Sequence, residues 1–259
     1  MKIKFQKYQG TGNDFIIINN QSLNFPQKNN QLISRLCDRK LGIGSDGLIL
    51  ITPSESIDYK MVYFNSDGNL GSMCGNGARC SVKFAQNNNL INNQTIFNAS
   101  DGNHSATIVD NQVFLSMKDV LDIKSFGQDL ILNTGSPHYI QIVEELDGFD
   151  VFKQGKKIRN SSEFKKEGIN VNFVKIISDS EFYVRTFERG VENETLSCGT
   201  GATAVALAMY RSGKTKLKNL KINTNGGILN VVFKPSDLGF EKIILSGNVE
   251  LVYKGEFII

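Results

Sequence analysis

Residues 72–80 read SMCGNGARC, and residues 196–204 read LSCGTGATA. Each stretch sets a cysteine, Cys74 or Cys198, at the head of a Cys-Gly-x-Gly-Ala run. The flanks match as well. GNDFIII at 12–18 aligns with GSPHYIQ at 135–141, and DYKMVYFN at 58–65 aligns with EFYVRTFE at 181–188, both at an offset of 123. The cysteine runs lie 124 apart, and one extra residue in ERGVENETLS accounts for the difference. Three blocks in one order at one spacing define an internal repeat, so the chain reads as two homologous halves.

Each half repeats one coarse order of elements. Apolar, β-rich runs at Phe15–Ile18, Leu48–Ile51 and Lys60–Phe64 read as strands, and Val171–Ile177 and Phe182–Phe187 repeat them. A helix follows each cysteine run. ATAVALAMY carries no charge on any face and predicts a buried helix that stops near Gly213. ARCSVKFAQ places Arg79 and Lys83 on one face with small and apolar residues elsewhere, so this helix is expected to be mostly buried too, though not equally with its counterpart, and to end in the triplet Asn87–Asn89. Shorter strands are expected at Ala106–Val109, Gln112–Ser116 and Leu130–Asn133. The pattern predicts an α+β fold of two pseudo-symmetric domains, each a mixed or antiparallel sheet wrapped around a central helix. The division expected is 1–115 with a final strand at 250–259, and 116–249.

Composition narrows the function. Of 259 residues, 40% are hydrophobic, enough for a large core. The 29 basic and 26 acidic residues nearly balance and the basic ones are scattered, which argues against a nucleic-acid partner. The start, MKIKFQKYQGTGNDF, lacks the apolar segment of a secretory signal, and the uncharged stretch Ala202–Tyr210 is too short to span a bilayer. A cytoplasmic chain with no membrane partner is therefore expected, in a compartment where structural disulfides are disfavoured. The cysteines at 37, 74, 80 and 198 form no Cys-x-x-Cys pair and only two histidines accompany them, so no metal site is expected. Gly42-Ile-Gly-Ser-Asp-Gly47 satisfies the Gly-x-Gly-x-x-Gly pattern of dinucleotide sites. That fingerprint needs a strand before it and a helix after it. Here the helix-like QLISRLCDRK precedes and LILI follows, so nucleotide binding is rejected.

The doubled cysteine carries the chemistry. A Gly-rich turn that opens a helix exposes backbone N–H groups suited to a carboxylate. A cysteine at that turn sits at the positive end of the helix dipole, which favours the thiolate. Two such halves supply one thiolate base and one thiol acid. This suits inversion at a carbon next to a carboxylate, with the amides stabilising charge as the α-proton leaves. Cys37 and Cys80 have no repeated context and read as packing residues.

On the blocks GTGNDF (10–15), DRKLGIGSDGLIL (38–50), FNSDGNLGSMCGNGARC (64–80), GSPHYI (135–140), GINVNF (168–173) and ERGVENETLSCGTGA (188–202), the chain resembles the diaminopimelate epimerases along nearly its whole length. The resemblance implies that family's two-domain fold with the active site in the cleft between the halves. It implies interconversion of LL- and meso-diaminopimelate without pyridoxal phosphate or any other cofactor, in lysine and peptidoglycan-precursor synthesis, by a homodimer. It makes Cys74 and Cys198 the acid–base pair, and the amides of Gly75, Asn76, Gly199 and Thr200 the carboxylate anchors. Glu188 would receive the α-ammonium, and Glu188 and His138 would adjust the thiols. Asn13, Asn65, Asn170 and Arg189 would contact the rest of the substrate. Two positions depart from the pattern: Ser136 stands where many relatives have Asn, and Gly47 where some have Gln. Both concern the distal end of the substrate, where Ser136 remains a binding candidate. The competing readings are a two-cysteine proline or hydroxyproline racemase and a thiol redox sensor, with the phenazine-pathway isomerase-like proteins sharing the fold but not the cysteine pair.

Overall fold

A computed structural model describes residues 2–258, and their elements fall into two units, Met1–Leu115 with Gly247–Ile259, and Ser116–Ser246. In the first, β1 (Lys2–Gly10) pairs antiparallel with β2 (Asn13–Asn19). Helix α1 (Asn30–Cys37) then leads to β3 (Gly47–Thr52), which lies parallel to β2 and antiparallel to β4 (Tyr59–Asn65). Helix α2 (Gly75–Asn87) leads to β5 (Gln94–Ala99), parallel to β4. A meander of β5, β6 (Gly102–Val109) and β7 (Gln112–Ser116) follows.

The second unit runs through the same connections. After the hairpin of β8 (Ile123–Phe126) and β9 (Asp129–Asn133), β10 (Pro137–Ile142) lies antiparallel to β9. Helix α3 (Val151–Arg159) leads to β11 (Asn170–Ile176), parallel to β10 and antiparallel to β12 (Glu181–Glu188). The short β13 (Asn193–Thr195) and helix α4 (Gly199–Arg211) lead to β14 (Asn219–Thr224), parallel to β12. Strands β15 (Gly227–Ser236), antiparallel to β14, and β16 (Gly239–Gly247) follow. The last strand, β17 (Val249–Ile258), belongs to the first unit and pairs with β1 from Gly10–Val249 to Lys2–Ile258. The repeat in the sequence is thus a repeat of topology, with each cysteine run opening the second crossover helix.

Local composition explains the layering. All six residues of β3, GLILIT, are buried, as befits a strand covered on both faces, by α1 on one and α2 on the other. The halves hold an outer helix each, α1 and α3, besides the central one. Helix α3 carries Lys153, Lys156, Lys157 and Arg159 and buries only Val151 and Gly155, with Ile158 partly buried beside them, so its apolar strip is short and narrow. Its ends are well marked nonetheless: Asp150 caps Lys153 N–H at 2.9 Å, and the basic residues crowd the last turn, where the helix dipole favours them.

Both central helices are mostly buried: α2 buries ten of its thirteen residues and α4 eleven of thirteen, so the charged face of α2 leaves it only slightly more exposed. Arg79 is fully buried, and its guanidinium reaches back to the start of the helix. Lys83 lies half-buried and bonds Gln86 at 2.8 Å. The Gly42–Gly47 turn lies between α1 and β3, the reverse of the dinucleotide order. No helix among the described residues is long and apolar enough to cross a membrane.

Candidate active site

Both repeated cysteines are helix N-caps. Cys74 precedes α2 with φ −117° and ψ 113°, and Cys198 precedes α4 with φ −126° and ψ 114°. Each sulfur stands where a Ser or Asp oxygen would cap a helix: Cys74 Sγ accepts from Gly77 N–H at 3.4 Å, and Cys198 Sγ from Gly201 N–H at 3.4 Å. Gly75 and Asn76, and Gly199 and Thr200, are the first two residues of the helices. Their N–H groups precede the first intrahelical hydrogen bond, made by Ala78 N–H to Cys74 C=O and by Ala202 N–H to Cys198 C=O, both 2.8 Å. The same turn therefore sets a sulfur and first-turn amides together at the positive end of a helix dipole, where a thiolate or a bound anion is favoured.

Around Cys74, the side chains fix one another. Asn13 Nδ2 donates to Asp46 at 2.7 Å, so its Oδ1 faces the cysteine and lies 3.7 Å from Sγ and 3.4 Å from Asn76 Nδ2. Asn76 Oδ1 in turn accepts from Arg79 at 3.1 Å. Arginine can only donate and a carboxylate can only accept, so the two ends of this series dictate the orientation of both amides between them. Arg79 also donates to Thr11 Oγ1 at 3.3 Å and Gly75 C=O at 3.4 Å. Its burial draws the guanidinium down to about 10, and it remains a cation at neutral pH. Asp46 itself is held by Arg39 at 3.0 Å.

In the second unit, His138 lies behind the cysteine turn. Its Nε2 is 3.0 Å from Thr200 Oγ1, which is 3.4 Å from Cys198 Sγ, and its Nδ1 is 3.1 Å from Asn172 Nδ2. Burial, reinforced by the Arg189 charge, pulls His138 down to about 3 despite the Asn172 hydrogen bond. The ring is therefore neutral at physiological pH and meets Thr200 through a hydrogen bond, not as a cation.

Next to His138, Asn170 gathers a second group. Its Nδ2 donates to Ser136 Oγ at 2.9 Å and to Pro137 C=O at 3.1 Å, while its Oδ1 accepts from Arg189 N–H at 2.9 Å. Arg189 lies 3.4 Å from the same Ser136 oxygen and donates to Glu167 C=O at 3.1 Å. Glu188, at the end of β12, accepts from Thr195 at 2.6 Å. Asn65 lies in the first unit, at the end of β4 opposite Gly47. A Cβ at Gly47 would lie 2.5 Å from the Tyr63 ring and 2.6 Å from Phe64 C=O, so this chain has no room for a longer side chain there as long as Tyr63 holds its place. Three neighbours had escaped the sequence reading: Arg79, Asp46 and Asn172. The spacing of Asn172, two residues from Asn170 on one strand, was the available signal, because residues i and i+2 share a face.

This fold has solved counterparts. A phenazine biosynthesis protein of the PhzF family from Bacillus anthracis superposes with a TM-score of 0.81 at 13% identity, covering 100% of both chains. At that identity the likeness concerns the fold alone: a sheet-dominated α+β architecture. Sequence relatives are more specific. The chain is 51% identical to the diaminopimelate epimerase of Flavobacterium psychrophilum over 97% of its length and 99% of that protein's, and 36% identical to that of Aquifex aeolicus over 98% and 97%. The diaminopimelate epimerase family model matches residues 5–120 and 130–252. The chain belongs to the diaminopimelate epimerase family.

Proposed function

We propose that this chain interconverts LL- and meso-diaminopimelate, inverting one α-carbon by proton transfer through two cysteines. One of Cys74 and Cys198, as thiolate, removes the Cα proton, and the other, as thiol, returns a proton with the opposite hand. The roles exchange in the reverse direction. The observation that carries the reading is the matched pair of N-cap cysteines, each beside first-turn amides, in a chain of this family. The amides of Gly75, Asn76, Gly199 and Thr200 hold the α-carboxylate and gain strength as charge flows onto it in the transition state. Glu188 takes the α-ammonium. Asn13, Asn65, Asn170, Arg189 and Ser136 hold the remainder of the substrate, with Arg189 suited to a distal carboxylate. No cofactor is required, because the thiols themselves carry the proton. The enzyme works in the cytoplasm as a homodimer, supplying meso-diaminopimelate for lysine and peptidoglycan-precursor synthesis.

Incubation in heavy water tests the assignment. Deuterium should enter Cα of diaminopimelate and not of proline. Labelled proline with unlabelled diaminopimelate would instead make the chain a proline-type racemase. Full turnover in strong reductant is expected, and a requirement for oxidation would favour a redox sensor.

A further inference from the structure

Four polar side chains behind Cys198 are almost wholly withdrawn from water: Thr186 (3% exposed), Asn172 (0%), His138 (0%) and Thr200 (4%). Each link has a direction that chemistry fixes. Asn172 Nδ2 lies 3.0 Å from the Tyr139 carbonyl oxygen, which only accepts, so the amide nitrogen must face that way. Its Oδ1 takes the Thr186 hydroxyl at 3.0 Å. The same Nδ2 lies 3.1 Å from His138 Nδ1, which therefore accepts and carries no proton. A neutral ring then holds its proton on Nε2 and donates it to Thr200 Oγ1 at 3.0 Å. With its oxygen so engaged, the Thr200 hydroxyl directs its own proton towards Cys198 Sγ, 3.4 Å away, beside the Gly201 N–H.

We propose that Asn172 is a positioning residue for Cys198: it fixes the tautomer of His138 and thereby orients the Thr200 hydroxyl to donate to the sulfur, favouring the thiolate. At Cys74 the corresponding neighbour is the Asn13 carbonyl oxygen, which accepts from a thiol. The Asn13 and Thr200 side chains thus act on the two sulfurs in opposite sense, while each sulfur also accepts a backbone N–H. The charges on this side are Arg189, which acts together with burial against protonation of His138, and Glu188, next to it on the chain. The relay gives the Thr200 side chain a task separate from that of its amide. Its catalytic meaning rests on the acid–base reading of Cys198.

Imidazole ¹⁵N NMR reads the tautomer without turnover. The chain has two histidines, and a His104→Gln variant assigns them. His138 should show a bare Nδ1 and a protonated Nε2, unchanged from pH 5 to pH 9. In Asn172→Asp, which can only accept at this position, the proton should move to Nδ1. Thr200→Val, which keeps the fold's volume, should move the ascending limb of kcat/KM for diaminopimelate upward by roughly one pH unit, and Thr200→Ser should restore it. A wild-type His138 protonated on Nδ1, or an unmoved pH profile in Thr200→Val, overturns the relay. An Nε2–H ring in a wild-type protein that exchanges no Cα proton overturns the epimerase reading instead, and the two failures are distinguishable.

Discussion

A cysteine sulfur caps a helix poorly, and two of them do so here at matching places. Oxygen would serve helix stability better, so replacement by serine separates the two roles. Cys74→Ser and Cys198→Ser should each lower epimerisation by about 10²–10⁴-fold, the usual range for a lost acid or base, because a serine hydroxyl is too weak an acid to replace a thiol. Thermal unfolding should stay within about 1 kcal/mol of wild type. Retained activity in either variant would remove that cysteine from the chemistry. Arg79 presents the complementary case. Arg79→Ala should cost about 3 kcal/mol in a denaturant titration, since it opens a cavity and removes the guanidinium's hydrogen bonds to Asn76, Thr11 and Gly75. Arg79→Met should recover much of that stability by filling the space, but should still lower kcat because Asn76, which donates to Asn13, loses the donor that orients it. The cysteines were legible in the sequence because repetition marked them. Arg79 and Asn172 were not, because an arginine on a helix and an asparagine on a strand ordinarily mean a solvated face, and only packing reveals that both are sealed in.

Among the elements, the close approach of α4 to β11 and β12 depends on one missing atom. A Cβ at Gly201 would fall 2.6 Å from Asn172 Oδ1 and 3.1 Å from Cys198 Cβ. Gly201→Ala should therefore destabilise the protein by about 1–3 kcal/mol, as overpacking does, and lower activity by displacing Asn172 and the cysteine turn together. A Gly201→Ala protein with wild-type melting and wild-type rate would show that the helix has slack here. The paired strands and central helices followed from apolar runs and the Gly-rich starts: β2, β4, β10 and β12 lie where the aligned blocks placed them, and β3 and β11 where apolar runs did. Helix α3 did not follow, because it adheres through a short, narrow apolar strip among charged residues. The difference in burial between α2 and α4 is small because backbone and neighbouring amide oxygens receive the Arg79 cation inside the protein, which a charge count on a helical wheel does not tell.

For the whole molecule, stability should depend on acid through a group that is buried neutral. His138 binds a proton near 6.5 when exposed and near 3 when folded. Between those values the unfolded chain holds more protons, so stability is fully present above about pH 6.5 and falls as the pH drops towards 3. His138→Gln, which has no charge to gain, should shift the acid-unfolding midpoint followed by circular dichroism to lower pH; a midpoint that rises or stays would contradict this. Asp14 acts in a lower window. Burial would raise its pKa, but Arg39 and Lys7 outweigh burial and hold its carboxyl below the ordinary value, so its contribution is lost only as that carboxylate is protonated. The strand β17 carries a consequence for the order of assembly. One unit is a continuous length of chain, whereas the other must join Lys2 to Ile258 across the whole of its neighbour's sequence. Closing so long a loop costs entropy before any contact repays it, so the continuous unit should reach its protected state first. In pulse-labelled hydrogen exchange during refolding, the amides of β10–β12 and α4 should gain protection before the β1–β17 ladder. A nascent chain would then carry a finished Cys198 half while its Cys74 half still lacks the closing strand, which makes the final ladder the step that admits the protein to activity.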